Sequence, residues 1–464
     1  MPHVFDPVIL REYDIRGQIG KNLSEKDAYA LGRAFATYIS NDLPDQENHT
    51  ICVGYDGRHS SPLLVDHLIK GLLASGINVK SIGLGPSPML YYAVKALDAD
   101  AGIMITGSHN PPDYNGFKMT TREHPVFGDA IQEIGRLATL DDSILRNGVG
   151  HTKFIEIEEY YVERLLQDLK CSRPLKIAWD AGNGAAGDVL KLLTSKMPGE
   201  HILLYEDIDG TFPNHHPDPT VDENLKDLQK VVREQSCDLG IAFDGDADRI
   251  GVVDEHGDVI RCDTLMVIYA RDILARHPGA PIIGDVKCSA VMYDEIAKMG
   301  GQPVMWKTGH SVIKDKMREM NAPLAGELSG HIFFGDGYYG YDDALYCAIR
   351  LINALEGVEG GLSSLTASLP KLHNTPEIRL PVEEREKFDL IPRIIENTKN
   401  MPDLRMDNLD GIRVTTADGW WLARPSNTQN VLVIRAESAT EQGLESLLKM
   451  VGEEIGKLGY TLPR

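Results

Sequence analysis

A chain of 464 residues with a formal charge of -22 is too long for one hydrophobic core. It is also too acidic to present the basic face that nucleic acid or an anionic membrane requires. Its 42% hydrophobic and 25% charged residues are those of a water-soluble globular protein, no apolar run approaches a membrane span, and six scattered cysteines without a Cys-x-x-Cys pair indicate neither a zinc site nor a disulfide framework. Asp6, Arg11, Glu12 and Asp14 stand where a signal peptide would have its apolar core. The expectation is a cytoplasmic protein of about three or four domains, with no obligatory protein partner evident.

The chain opens with Arg11-Glu-Tyr13-Asp-Ile-Arg16-Gly, a short polar stretch before a helical pattern over 25–39. A strand at 50–55 ends in Asp56-Gly57-Arg58, and then come a helix (62–75), a strand (79–84), a helix (88–97) and an apolar strand (101–105). Strands alternating with helices predict a mostly parallel sheet covered on both faces. The polar loop 106–118 follows, Thr-Gly-Ser108-His109-Asn-Pro-Pro-Asp-Tyr-Asn-Gly-Phe-Lys118. The pattern frays over 139–150, so the first domain is taken as 1–150. A second α/β unit, 151–257, has strands at 175–179, 202–205 and 239–243 and a hairpin turn at 255–258. A third, 258–370, repeats helix and strand through 334, carries a helix to about 355, and ends in a glycine-rich joint. The last segment, 371–464, has four strand signals and a terminal helix over 440–457, an α+β pattern.

Each unit places a polar, glycine-containing loop after a buried strand. Asp244-Gly-Asp246-Ala-Asp248-Arg249 is the densest, because three carboxylates at alternate positions can converge on one hard cation. An EF-hand loop is the rival, with Glu255 at its twelfth position. It fails because Arg249 stands where glycine is needed, and 250–253 reads as strand instead of helix. Three protein ligands leave open positions, which suits Mg²⁺ bridging to a phosphate. Gly326-Glu327-Leu-Ser329-Gly-His331 alternates its polar residues, so Glu327, Ser329 and His331 are candidates to read sugar hydroxyls; an edge strand fits the pattern equally well. Arg424-Pro-Ser426-Asn427-Thr428 offers a guanidinium, hydroxyls and an amide as a phosphate cradle, or else a solvated turn between two strands. Ser108 lacks a Gly-x-Ser-x-Gly elbow, and its sequence neighbour His109 is expected to be poorly placed as a triad base. A phosphoryl-accepting serine fits better.

Together and in this order, the four motifs resemble those of the α-D-phosphohexomutase family, and within it the bacterial phosphomannomutase/phosphoglucomutase group. The resemblance spans essentially the whole chain. It implies a heart-shaped arrangement of four domains around a central cleft: three similar mixed α/β domains and a smaller α+β C-terminal domain. It implies that Ser108 is the phosphoserine, that Asp244, Asp246 and Asp248 bind Mg²⁺ with a Ser108 phosphate oxygen, and that Glu327 and Ser329 read the sugar. Arg424, Ser426, Asn427 and Thr428 match the phosphate loop; Tyr13, Arg16, Arg249, Lys287 and His310 match further active-site positions. Arg16, Lys118, Arg249, Lys287 and Arg424 would make the cleft basic within an acidic protein. The implied substrates are phosphosugars, interconverted between hexose 1-phosphate and hexose 6-phosphate through a bound hexose 1,6-bisphosphate. Lys118 or His310, then His331, are the candidate bases. Phosphoglucosamine mutases typically carry Ser-Gly-Thr-Glu where this chain has Ser426-Asn427-Thr428-Gln429, which favours mannose and glucose as substrates. A phosphoglucosamine mutase, or a metal-dependent sugar phosphatase, is the alternative.

Overall fold

The computed structural model describes residues 2–46, 48–141, 143–383, 385–399, 401, 404–427 and 430–463. Asp142 at the first expected junction, and Thr428 and Gln429 of the phosphate loop, lie outside them.

Six strands form the first sheet: β1 (Ile15–Gln18), β2 (Thr50–Tyr55), β3 (Asn78–Leu84), β4 (Ala101–Ile105), β5 (Tyr114–Thr121) and β6 (Thr152–Phe154), in the order β1-β5-β4-β2-β3-β6. The second contains β7 (Leu175–Asp180), β8 (Gly199–Leu204), β9 (Leu239–Phe243), β10 (Ile250–Asp254) and β11 (Val259–Ile260), ordered β11-β10-β9-β7-β8. The third has β12 (Pro281–Asp285), β13 (Gln302–Trp306), β14 (Leu324–Gly326) and β15 (Ile332–Phe334), ordered β13-β12-β14-β15. The same plan recurs. Three parallel strands, β4-β2-β3, β9-β7-β8 and β14-β12-β13, are extended by an antiparallel strand directly after the third of them in sequence. The sheets are therefore parallel at their centres, as strand–helix alternation predicted, with antiparallel strands added along one side. The reversal occurs at each polar loop: β4 to β5 across Ser108, β9 to β10 across Asp244 and β14 to β15 across Glu327.

Two expectations shift in consequence. Lys118 is not in a loop but in β5, opposite Met104 of β4. A strand of period two holds its side chain more firmly than a loop would. The opening stretch is likewise partly strand, since β1 pairs with β5 in the register Arg16 to Gly116. The first sheet also runs past residue 150, through β6 on β3, and β11 carries the second past 257.

Helix starts follow local chemistry. Ser24 N donates to Asp27 at 2.8 Å before the helix Glu25–Asp42, and proline occupies the first turn of Ser61–Ala74 and of Ser87–Ala96. One apolar core runs from Ser87–Ala96 of the first unit through the second and third, including Met89, Trp179, Phe243, Met266 and Phe334. The fourth unit is antiparallel throughout, built from β16 (His373–Asn374), β17 (Ile378–Pro381), β18 (Arg405–Asp407), β19 (Ile412–Thr416), β20 (Gly419–Pro425) and β21 (Val431–Ser438), and has its own core. A small apolar cluster, Val286, Ala290 and Met305 against Leu409, Trp420 and Leu422, docks it on the third unit, with polar contacts beside it. Arg413 donates to the carbonyls of Val286 (2.5 Å) and Cys288 (3.1 Å), its guanidinium 3.6 Å from the Trp420 ring centroid. Among the described residues, no helix is long and apolar enough to cross a membrane.

Arg413→Met would leave those two buried carbonyls without their donor. The expected cost is about 2 kcal/mol of domain docking, seen in calorimetry as the fourth unit melting ahead of the other three. A single unshifted transition would contradict this account of the docking.

Candidate active site

The four loops meet in one cleft, with a volume of about 150 Å³. Tyr13, Arg16, Ser108, Lys118, Arg249, Lys287, His310, Glu327, Ser329, His331, Arg424, Ser426 and Asn427 all line it. Asp244, Asp246 and Asp248 are fully buried behind Ser108.

Ser108 stands at φ 48° in the loop after β4, its N–H donating to Thr106 Oγ1 at 2.8 Å. Its hydroxyl donates to Asp244 Oδ2 at 2.9 Å, across the boundary between the first two units. His109 Nδ1 lies 3.1 Å from the same Oγ, closer than adjacency in sequence suggested. Burial, with Arg249 and Arg16 nearby, holds His109 well below the usual imidazole range, so the ring is neutral. The close approach of the second unit depends on Gly245, where a Cβ would stand 2.3 Å from the Ser108 carbonyl oxygen.

The three aspartates offer ligand atoms within 4.8 Å of one another. Burial and the charges of Asp248 and Asp246 push Asp244 well above the usual carboxylate range. Asp246 Oδ2 accepts from the Ser87 hydroxyl and from Lys118 Nζ at 2.7 Å, and Lys118 also pairs with Asp248. Burial favours the neutral amine of Lys118, but Asp246 and Asp248 outweigh it and raise its pKa. Asp246 Oδ1 and Asp248 Oδ1 are buried without a hydrogen-bond partner. A hard divalent cation suits such a set: all-oxygen donors, excess negative charge and two unused lone-pair sites.

The third unit contributes a packed polar group. Glu327, in the turn between β14 and β15, accepts from Gly309 N and, at 3.3 Å, from the Ser329 hydroxyl. Arg249 Nε donates to His331 Nε2 at 3.0 Å, which places the His331 proton on Nδ1. That nitrogen lies 3.1 Å from Asp342 and 3.5 Å from Asp248. His310 stacks on His331 with centroids 5.2 Å apart, and Lys314 pairs with Asp342 at 2.9 Å. Burial and Lys314 hold His310 well below the usual imidazole range.

The cleft cations are not bare. Arg16 pairs with Asp14, Lys287 with Glu377 (2.7 Å) and Arg424 with Asp410 (2.9 Å). Seven cationic side chains still line the cleft against three carboxylates, which gives the local excess expected inside an acidic protein. Tyr13 joins three units: its hydroxyl donates to the Thr308 carbonyl at 2.7 Å and accepts from Asn427 Nδ2 at 2.6 Å. Sequence reasoning missed Asp342, Glu377 and Asp410. Each lies outside the four motifs, and only its contact with His331, Lys287 or Arg424 of the cleft marks it.

Comparison with known proteins agrees with this geometry. Three domain families described as phosphoglucomutase/phosphomannomutase α/β/α domains I, II and III match residues 7–143, 159–257 and 261–373, and the corresponding C-terminal domain matches 377–454. A phosphomannomutase/phosphoglucomutase of Pseudomonas aeruginosa is 42% identical over 455 residues, covering 98% of this chain and 97% of the relative. A phosphoglucomutase of Neisseria meningitidis is 39% identical over 440 residues, covering 95% of each. The crystal structure of a phosphoglucomutase/phosphomannomutase family protein from Burkholderia thailandensis superimposes with a TM-score of 0.91 at 40% identity, covering 99% of this chain and all of that one. The fold is that of the α-D-phosphohexomutases, isomerases of carbohydrate metabolism. The chain belongs to the phosphoglucomutase/phosphomannomutase family.

If the acidic loop holds a divalent cation, Asp244→Asn, Asp246→Asn and Asp248→Asn each weaken Mn²⁺ binding by at least about tenfold in a paramagnetic titration. Affinity in the parent falls with falling pH, because protons compete for the same oxygens. Unchanged binding in all three variants would exclude the loop as the metal site.

Proposed function

We propose that this protein interconverts hexose 1-phosphate and hexose 6-phosphate, with mannose and glucose as the sugars, by way of a phosphorylated Ser108. The observation that carries this reading is the Ser108 hydroxyl 2.9 Å from Asp244, in a cleft lined from all four units. The Ser108 phosphoryl group passes to the 6-hydroxyl of the bound 1-phosphate: the P–Oγ bond breaks as the bond to O6 forms, and the hydroxyl proton leaves to a base. The resulting hexose 1,6-bisphosphate turns end over end, and its phosphoryl group at C1 returns to Ser108, leaving the 6-phosphate.

Arg424, Ser426 and Asn427 hold whichever phosphate is not reacting, while Glu327 and Ser329 hold the sugar hydroxyls. Thr428 shares the phosphate loop by the family resemblance. Arg249 and Lys118 stabilise the charge on the transferring group, and Tyr13, Arg16 and Lys287 complete the binding surface. A divalent cation, for which Mg²⁺ is the natural candidate, would be held by Asp244, Asp246 and Asp248 and supply positive charge beside the phosphoryl oxygens when bound. Of the three candidate bases, Lys118 is kept protonated by its carboxylate neighbours and His331 already accepts from Arg249. His310 is neutral and faces the cleft, so we assign it the proton.

Treatment with glucose 1,6-bisphosphate and Mg²⁺ should leave one phosphoryl group on the peptide containing Ser108, and Ser108→Ala should abolish both label and turnover. A chain that turns over without ever carrying that label would refute the phosphoserine route. Mannose 1-phosphate and glucose 1-phosphate should be converted with kcat/KM within about tenfold of each other, glucosamine 1-phosphate far more slowly. A strong glucosamine preference would point to a phosphoglucosamine mutase, and steady release of inorganic phosphate to a phosphatase.

A further inference from the structure

Arg58 is absent from the cleft wall and from the reaction above, yet it is the most heavily engaged side chain behind the serine loop. It follows β2, and its side chain is fully buried. Nη2 donates to the carbonyls of Ser108 (2.7 Å) and Asn110 (2.6 Å), and Nη1 to those of Pro111 (2.5 Å) and Tyr114 (2.9 Å). Asp56 lies 3.2 Å from Nε and also accepts from Gly107 N at 3.1 Å and from the Ser61 hydroxyl at 2.7 Å. From the second unit, the Phe212 ring covers the guanidinium at 5.1 Å. Gly107 must be glycine for this arrangement, because a Cβ there would stand 2.3 Å from Arg58 Cζ.

Four carbonyls, three from the loop and one from the first residue of β5, thus converge on one cation. Carbonyl oxygens carry partial negative charge, and left to themselves they would separate or turn toward solvent in the cleft. Turned instead toward Arg58, they point away from the space that an anionic phosphoryl group occupies. The planar fork of arginine can address two pairs of carbonyls at once, which the point charge of lysine cannot do. The loop it fixes includes Ser108 itself, at φ 48°. We propose that Arg58 is a positioning residue for phosphoryl transfer, holding the serine loop so that Ser108 Oγ meets the acidic loop. This inference rests on the phosphoserine reading of Ser108. Arg58 does not line the cleft, so its loss should slow the transfer without loosening the grip of the third and fourth units.

The test compares the parent with Arg58→Met and Arg58→Lys, each checked for folding by circular dichroism. Ser108 phosphorylation by glucose 1,6-bisphosphate is followed by peptide mass spectrometry, and kcat and KM are measured with glucose 1-phosphate. Both the labelling rate and kcat should fall about 100-fold in Arg58→Met and by less in Arg58→Lys, while KM stays within about threefold. Added methylguanidine should restore part of the labelling rate to Arg58→Ala. Folded Arg58→Met that labels and turns over within about threefold of the parent overturns the inference, as does a raised KM with an unchanged labelling rate. Should the Arg58 variants fail to fold, Gly107→Ala presses on the guanidinium from the loop side and should reproduce the loss in kcat alone. An unchanged kcat there overturns the inference too. A parent that never labels refutes the Ser108 reading itself; a labelling parent beside an equally fast Arg58→Met refutes only the role given to Arg58.

Discussion

Everything in this structure answers to three carboxylates packed where water cannot reach them. Two unit charges about 4 Å apart repel by about 4 kcal/mol at an effective dielectric constant near 20. With all three ionised, the pairs together would rival the roughly 5–15 kcal/mol by which a whole domain is stable, and the raised pKa of Asp244 reflects that repulsion. Asp244, Asp246 and Asp248 therefore cannot remain fully buried on the strength of their own unit. They require positive charge and hydrogen-bond donors, and the first unit supplies them: Lys118 from β5, Ser87 from a helix start, and the Ser108 hydroxyl. The interface between the first two units is thus an electrostatic necessity before it is a site, and the serine is carried to the acid by the same docking that neutralises the acid.

The apolar core divides the molecule differently from the loops. One face of the first unit shares a continuous interior with the second and third, which gives their loops a common frame, while its other face has a core of its own. The fourth has its own core, and polar contacts around Trp420 fasten it to the segment bearing Lys287. Arg435 also donates to the Lys287 carbonyl, which ties the fourth unit to the segment bearing that lysine. A reaction in which the intermediate must turn over needs firm chemistry and an adjustable grip. On the proposed reaction, the separate core of the fourth unit suits that division.

Much of this was legible in the sequence, for identifiable reasons. Buried strands such as Ala101–Ile105 and Leu239–Phe243 announce themselves as short apolar runs, and each motif follows one directly. What sequence could not show was the direction of the next strand. Tyr114–Thr121 and Ile332–Phe334 turn back antiparallel, a choice set by tertiary pairing, so Lys118 read as loop when it is strand. The motif residues were found because chemistry repeats within a few positions. Asp342 and Asp410 were not, because each is a single acid outside any motif whose meaning comes from its partner in the fold, His331 or Arg424. Arg58 was visible as the end of a strand but silent about its work, since its four acceptors are backbone carbonyls that any sequence would supply.

Tyr13 has a consequence beyond binding. Its hydroxyl is at once a donor to Thr308 in the third unit and an acceptor from Asn427 in the fourth, while its backbone belongs to the first. One oxygen thereby performs a logical conjunction: both bonds exist together only when three units stand in register. A hydroxyl of this kind registers simultaneity, so that the alignment of distant surfaces becomes a local event at a single atom.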